Sequence, residues 1–208
     1  MTENIEVLTH SSVRLKGEKV LYIDPFHIED NPADADIILI THDHFDHFSP
    51  EDIDKIKKQD TIMVVPEKMK EQAEGISCGQ CITVLPGMRK QFGGIVVETV
   101  AAYNNAKPFH PKENDWVGYV VEFDGTRIYI AGDTDMTEEN RRVVCDVAMI
   151  PIGGTYTMDA KEAAELVNAM KPKVAIPIHY GSITGTKEDA EIFKAAVEPP
   201  VLVEIKMP

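Results

Sequence analysis

Apolar residues in the first forty positions recur in short alternating or continuous runs, the signature of strands rather than helices. Residues 5–9, 12–15 and 20–23 read as strands, with Lys16-Gly17-Glu18 turning the second into the third. Residues 37–40 are continuously apolar and mostly branched, as suits a buried strand. Ser49-Pro50-Glu51-Asp52 then opens a helix: Ser49 can cap, Pro50 fits the first helical position, and the two acids favour the positive helix end. Ile53 and Ile56 begin its apolar face. A strand over 62–65 and a short helix over 66–73 follow, then strands over 82–85, 95–101, 116–123 and 127–131. Asp124-Gly125 is a two-residue hairpin turn between the last two.

The period then changes. Strands over 147–151 and 174–178 alternate with two helices whose starts carry capping-box spacing. Asp159 and Glu162 begin the first, which runs to Met170; Thr186 and Asp189 begin the second, which runs to Val197. A strand over 201–205 ends the chain. Early strands followed by strand–helix alternation suit two sheets packed face to face with helices outside. No linker, repeat or low-complexity segment divides residues 1–208, so a single domain is expected.

Composition adds exclusions. Apolar residues make up 43% and charged residues 27%, a globular balance. No apolar run reaches the roughly 18–20 residues that cross a bilayer. Met1-Thr2-Glu3-Asn4-Ile5-Glu6 has no basic-then-apolar signal, so a soluble cytoplasmic protein without membrane attachment is expected. Cys78, Cys81 and Cys145 make no disulfide framework, and the lone Cys78-Gly79-Gln80-Cys81 lacks a second ligand pair for structural zinc. A net charge of −14 opposes sequence-independent nucleic-acid binding, and no such partner is expected. The composition is compatible with a homo-oligomer.

The chemistry is concentrated in Thr41-His42-Asp43-His44-Phe45-Asp46-His47, which holds three of the seven histidines. In an extended segment residues two apart point the same way, so His42 and His44 can address one cation. Asp46 and His47 lie past that segment, where they can address a second. Imidazole and carboxylate suit zinc, iron or manganese. The position directly after a buried strand gives such ligands a rigid base.

This run resembles the metallo-β-lactamase superfamily motif T-H-x-H-x-D-H, without a departure. Two further segments are similar to the family's and stand in its order. Ala131-Gly132-Asp133-Thr134-Asp135 resembles its G-D-T segment, which implies that Asp133 bridges two metals. Pro177-Ile178-His179-Tyr180 resembles its closing segment, which implies that His179 binds the second metal. The short chain and Gly153-Gly154-Thr155-Tyr156-Thr157-Met158-Asp159 look like the small single-domain members described as predicted metal-dependent hydrolases, related to L-ascorbate-6-phosphate lactonases. The resemblance implies a four-layer αββα sandwich of two mixed, mostly antiparallel sheets with helices outside.

One departure stands out. The family supplies a third histidine to the first metal from a strand before the G-D-T segment, and Tyr103 occupies that place here. A neutral phenol is a poor ligand beside an imidazole. Either His110 folds back to complete the site, its segment stiffened by Pro108 and Pro111, or the first site is weak. His10 is expected either near the pocket or in a plain turn. Asp24 could fix a ligand imidazole through a hydrogen bond, or form an ordinary Asp-Pro turn. His27 shows no ligand spacing.

The implied ligands are therefore His42, His44, Asp46, His47, His110, Asp133 and His179, around two divalent cations, with zinc expected and manganese or iron as alternatives. The implied activity is hydrolysis of a small ester, lactone or phosphodiester by a hydroxide held on the cations, which bring the pKa of water from about 15.7 to near 7. Asp46 would orient the nucleophile and Asp133 would bridge. Tyr103, His110 or Lys107 would stabilise the developing charge or protonate the leaving group. The competing readings are a non-catalytic or single-metal member prompted by Tyr103, a redox enzyme and, less favoured, a nuclease.

Overall fold

The first alternating segments fold back on one another. Strand β1 (Ile5–Thr9) pairs antiparallel with β2 (Ser12–Lys16), and β2 with β3 (Val20–Ile23). The order then continues through β4 (Ala35–Leu39), β5 (Lys57–Pro66) and β6 (Gln80–Val84) to make a six-stranded sheet. The second sheet has seven strands, in spatial order the reverse of chain order: β13 (Leu202–Val203), β12 (Val174–Ile178), β11 (Val147–Pro151), β10 (Thr126–Ile130), β9 (Val117–Phe123), β8 (Ile95–Ala101) and β7 (Arg89–Phe92). The computed structural model describes residues 1–208.

Both sheets are mixed, but the expectation that they are mostly antiparallel needs correcting. Five strand pairs are antiparallel and six are parallel. The cause lies in the connections. The 102–116 loop joins antiparallel β8 and β9 and short turns give the other antiparallel pairs, while crossovers return the remaining strands in the same direction. Helices α1 (Pro50–Ile56) and α2 (Lys70–Ala73) lie in the crossovers of the first sheet, and α3 (Ala160–Met170) and α4 (Lys187–Ala196) in those of the second.

Burial confirms the four layers. One apolar cluster lies between the sheets, with Val13, Leu15, Ile37 and Leu39 of the first and Val117, Val121, Ile128 and Ile130 of the second. A second cluster seats α3 and α4 on the other face of the second sheet through Ala163, Leu166, Val167 and Phe193. A third seats α1 and α2 on the first sheet through Ile53, Ile56, Met69 and Ala73. The expected helix starts are present: Ser49 accepts from the Asp52 N–H, and Asp159 and Glu162 form a capping box.

Several strand bounds shift by one or two residues from the sequence expectation, and three departures are larger. Strand β5 begins at Lys57 rather than 62, β13 holds only two residues, and β7 was not anticipated. No helix is long and apolar enough to cross a membrane.

Candidate metal centre

All the chemistry-bearing residues lie just past the carboxyl ends of strands, on one edge of the sandwich. His10 follows β1, Asp24 follows β3, the His42–His47 run follows β4, His110 lies in the loop after β8, Asp133 follows β10 and His179 follows β12. Loops on a rigid scaffold are where such residues are best placed. The His179 N–H donates to the His10 carbonyl at 2.9 Å and the Val117 N–H to the Thr41 carbonyl at 3.2 Å, so backbone hydrogen bonds tie the two sheets at this edge. His10, Asp24 and His179 all adopt left-handed backbone, with φ of 50°, 48° and 59°. Non-glycine residues rarely sit there, and their gathering at one edge marks a site held in place by its surroundings.

The side chains form three overlapping groups whose candidate ligand atoms lie within 4.8 Å of one another: His42, His44 and His110; His10, Asp46, His47 and His179; and His42, His47 and Asp133, which joins the first two. Asp133 stands between those two. Its Oδ2 is 3.3 Å from His110 Nε2, 4.0 Å from His42 Nε2 and 3.0 Å from His179 Nε2, and its Oδ1 is 3.3 Å from His47 Nε2. His42, His47, His110, Asp133 and His179 are buried, whereas His44 is half-buried.

Hydrogen bonds on the far side of each ring set its tautomer. Asp24 accepts the Thr41 N–H at 2.8 Å and the Thr41 hydroxyl at 2.7 Å, and its Oδ2 takes His47 Nδ1 at 2.7 Å. The Thr41 oxygen in turn lies 2.9 Å from His42 Nδ1. Asn104 Oδ1 takes His110 Nδ1 at 3.0 Å. With Nδ1 engaged on the far side of all three rings, Nε2 is the atom each turns toward Asp133. His10 is oriented differently. Ser182 Oγ lies 3.0 Å from its Nδ1, and its Nε2 faces Asp46 Oδ2 at 3.1 Å. Donating there, His10 holds the Asp46 carboxylate rather than a cation.

The residues fit a cation by their own chemistry. His47 Nε2, His110 Nε2, His179 Nε2 and Asp133 Oδ1 are buried and have no hydrogen-bond partner. Buried polar atoms without partners are costly, and three imidazole nitrogens converging on one carboxylate are what a cation would satisfy. The electrostatics agree. Burial drives the His42 and His44 imidazoles down, so they stay neutral with a free lone pair. Burial works against the Asp133 and Asp46 carboxylates, but the surrounding imidazoles outweigh it and hold both below the usual range. Burial also disfavours charged His47 and His179, yet Asp133 holds both above the ordinary histidine value.

His110 stands with His42 and His44, its N–H bonded to Asn104 Oδ1 at 3.1 Å. Tyr103, expected as a catalytic residue in the place of a missing ligand, belongs elsewhere. Its hydroxyl donates to Glu139 at 2.8 Å and meets Lys112 at 3.1 Å, outside the ligand groups. The reason is electrostatic: Lys112 beside Glu139 holds that carboxyl down to about 2, and the phenol completes this ion pair. Lys107 is likewise committed, to Asp135 at 2.9 Å and to the Thr157 carbonyl at 2.7 Å. His27 is exposed and stacks on Phe26, away from the ligand groups.

Sequence reasoning missed Asn104, Asp135, Trp116 and Ser182. Asp135 accepts from Asn104 Nδ2 at 3.1 Å and from the Asn105 N–H at 2.9 Å, so it fixes the amide that fixes His110. Trp116 packs its ring 5.0–5.6 Å from those of His42, His44 and His110. Asp135 stood in the quoted G-D-T-D segment, and its second acid was the available signal. Gly132 and Gly153 make room: Gly132 has φ +65°, and a Cβ at 153 would lie 2.6 Å from the His179 carbonyl oxygen.

The model of the beta-lactamase superfamily domain matches residues 4–179. The chain belongs to the metallo-β-lactamase superfamily. It is 34% identical to the UPF0173 metal-dependent hydrolase Ta0764 of Thermoplasma acidophilum, over 93% of this chain and 91% of that one. A crystal structure from Parabacteroides distasonis superposes with a TM-score of 0.80 at 29% identity, covering 98% of this chain and 93% of that one. CmlA of Streptomyces venezuelae, a diiron β-hydroxylase, shares the fold at a TM-score of 0.75 and 13% identity, covering 98% of this chain and 52% of its own. The superfamily fold therefore carries more than one chemistry, and function has to be argued from the site.

Proposed function

We propose that this metal-dependent hydrolase cleaves a small ester, lactone or phosphodiester with two divalent cations, zinc being the metal that its imidazoles and carboxylates suit best. The observation that carries the reading is the Asp133 carboxylate, whose oxygens face imidazoles of both groups at 3.0–4.0 Å. His42, His44, His110 and Asp133 would hold one cation, and Asp46, His47, His179 and Asp133 the other. When bound, such ions supply a nucleophilic water at neutral pH and a Lewis acid for the substrate oxygen.

The chain's own residues supply the rest. Asp46, fixed through Oδ2 by His10, has Oδ1 to accept a hydrogen bond from the attacking water and aim it. Its depressed pKa suits an orienting acceptor more than a proton carrier. Thr41, Asp24 and Asn104 keep the ligand rings from rotating. The buried walls, Trp116 among them, exclude bulk water from the ligand atoms. In the overall reaction the water oxygen joins the acyl carbon or phosphorus, the bond to the leaving oxygen breaks, and the alcohol departs with the proton.

The test is a screen of lactones, carboxylic esters, thioesters and phosphodiesters on metal-reconstituted protein, paired with metal analysis. The wild type should turn over at least one class and carry about two ions per chain. Asp133→Ala should lose both ions and turnover. Full activity in that variant would end the proposal.

A further inference from the structure

Five loops frame the centre: residues 41–49, 102–116, 132–137, 152–158 and 179–186. Only two cationic side chains other than histidine occur in them, Lys107 and Lys112. Neither is free: Lys107 lies 2.9 Å from Asp135 and Lys112 2.8 Å from Glu139. The whole chain carries −14. Lys68, from outside these loops, is likewise paired, 3.3 Å from Asp115. A substrate with an anionic group beyond its reacting bond would meet no unpaired lysine or arginine of these loops and a repulsive overall field.

The same loops hold out apolar side chains instead. Phe45, between His44 and Asp46, is 68% exposed; Phe109, beside His110, is 39% exposed; Ile183, beside Ser182, is 41% exposed. Phe109 stands edge-on to the Tyr156 ring at 4.8 Å, and Phe45 edge-on to Phe26 at 6.0 Å. His44 is the half-buried member of the ligand set, and exposed Phe45 is its neighbour in the chain. Single exposed apolar residues are ordinary on a protein surface. Three that each adjoin a residue of the centre in the chain, on loops at the edge where the ligands emerge, offer it an apolar surround.

We propose that the substrate is an uncharged carboxylic ester, thioester or lactone with an apolar acyl part, which packs against Phe45, Phe109 and Ile183. This rests on the hydrolase reading above and narrows it. The water oxygen adds to the acyl carbon, the acyl C–O or C–S bond breaks, and the alcohol or thiol leaves carrying the proton. Substrates with a remote phosphate or carboxylate are excluded as the preferred class.

The experiment compares p-nitrophenyl acetate, butyrate, hexanoate and hemisuccinate, with bis(p-nitrophenyl) phosphate, on metal-reconstituted wild type and on a Phe45→Ser/Phe109→Ser double variant. Both positions are exposed, so the variant should keep its melting temperature. The kcat/KM for hexanoate should exceed that for acetate about tenfold, and butyrate should exceed hemisuccinate by a similar factor. The hexanoate-to-acetate ratio should collapse toward one in the double variant. A hemisuccinate or phosphodiester preference, or an unchanged ratio in the variant, would overturn the proposal. So would a wild-type dimer that the double variant splits while the ratio stays, since a second copy of the chain would then cover these residues.

Binding separates this proposal from the hydrolase reading. Trp116 is the single tryptophan and packs on the ligand rings, so its fluorescence reports on the centre. If no ester turns over but hexanamide binds wild type more tightly than acetamide, and the variant loses the difference, the hydrolase reading falls and the apolar site stands. Equal binding of the two amides would overturn the apolar site.

Discussion

Asn104 Oδ1 lies 3.0 Å from His110 Nδ1, while the same amide's Nδ2 donates to Asp135 Oδ1 at 3.1 Å. The amide is thereby locked with its oxygen toward the ring, and the ring with its Nε2 toward Asp133. Asn104→Leu should keep the volume and remove this control. One cation should be held about 10–100-fold more weakly, the usual cost of losing such an outer partner. Competition with a chromogenic chelator should show one weakened site and one near the wild-type value. Two unaltered sites would show that His110 needs no such support.

Asp24 does the corresponding work for His47, and it does so with left-handed backbone at φ 48°. Asparagine tolerates that conformation, so Asp24→Asn changes the charge and little of the backbone. The loss should fall on the cation of the Asp46–His47–His179 group, again by about 10–100-fold. It should be read as metal retained per chain after dialysis at graded chelator concentrations. Wild-type retention would contradict the role given to Asp24.

Protons and cations compete for the same atoms. Burial lowers the His47 and His179 imidazoles, but Asp133 outweighs it and keeps both protonated above the ordinary histidine value in metal-free protein. The stability these two charged rings contribute is fully present below about pH 6.5 and is lost as pH rises through their raised values. Metal binding at pH 7 must displace those protons, so affinity should rise with pH across that window. Calorimetry in buffers of different ionisation enthalpy should find one to two protons released per chain at pH 7, fewer at higher pH. No release at pH 7 would contradict the account.

Gly132 precedes Asp133 with φ +65°, and a Cβ there would lie 3.1 Å from the Val117 carbonyl oxygen and from Thr41 Cβ. Gly132→Ala should cost about 1–3 kcal/mol through this strained backbone and crowding. Thermal denaturation should show a lowered melting temperature, with a parallel loss of metal because Asp133 is carried along. A melting temperature equal to wild type would show that the backbone relaxes freely.

Much of this centre could be read before any coordinates. Ligands need rigid bases, so His42, His44, Asp46, His47, Asp133 and His179 each follow a buried, branched run whose pattern is visible in the sequence. Strand β7 was hidden because Arg89, Lys90 and Gln91 are exposed and only Phe92 is buried. The first half of β5 is polar for the same reason. The balance of parallel and antiparallel pairs is set by which connections become crossovers, and periodicity does not carry that. The exchange of Tyr103 for His110 depends on a fold-back of the 102–116 loop, drawn by Asp135, Asn104 and Lys107. In the sequence these polar residues look like separate surface positions.

Zinc-edge anomalous scattering from crystals of zinc-loaded protein tests the central claim most directly. Two peaks about 3.5–4 Å apart are expected, one among His42, His44 and His110 and the other among Asp46, His47 and His179, with Asp133 bonded to both. A single peak, or a pair in which Asp133 touches one ion or neither, would contradict it.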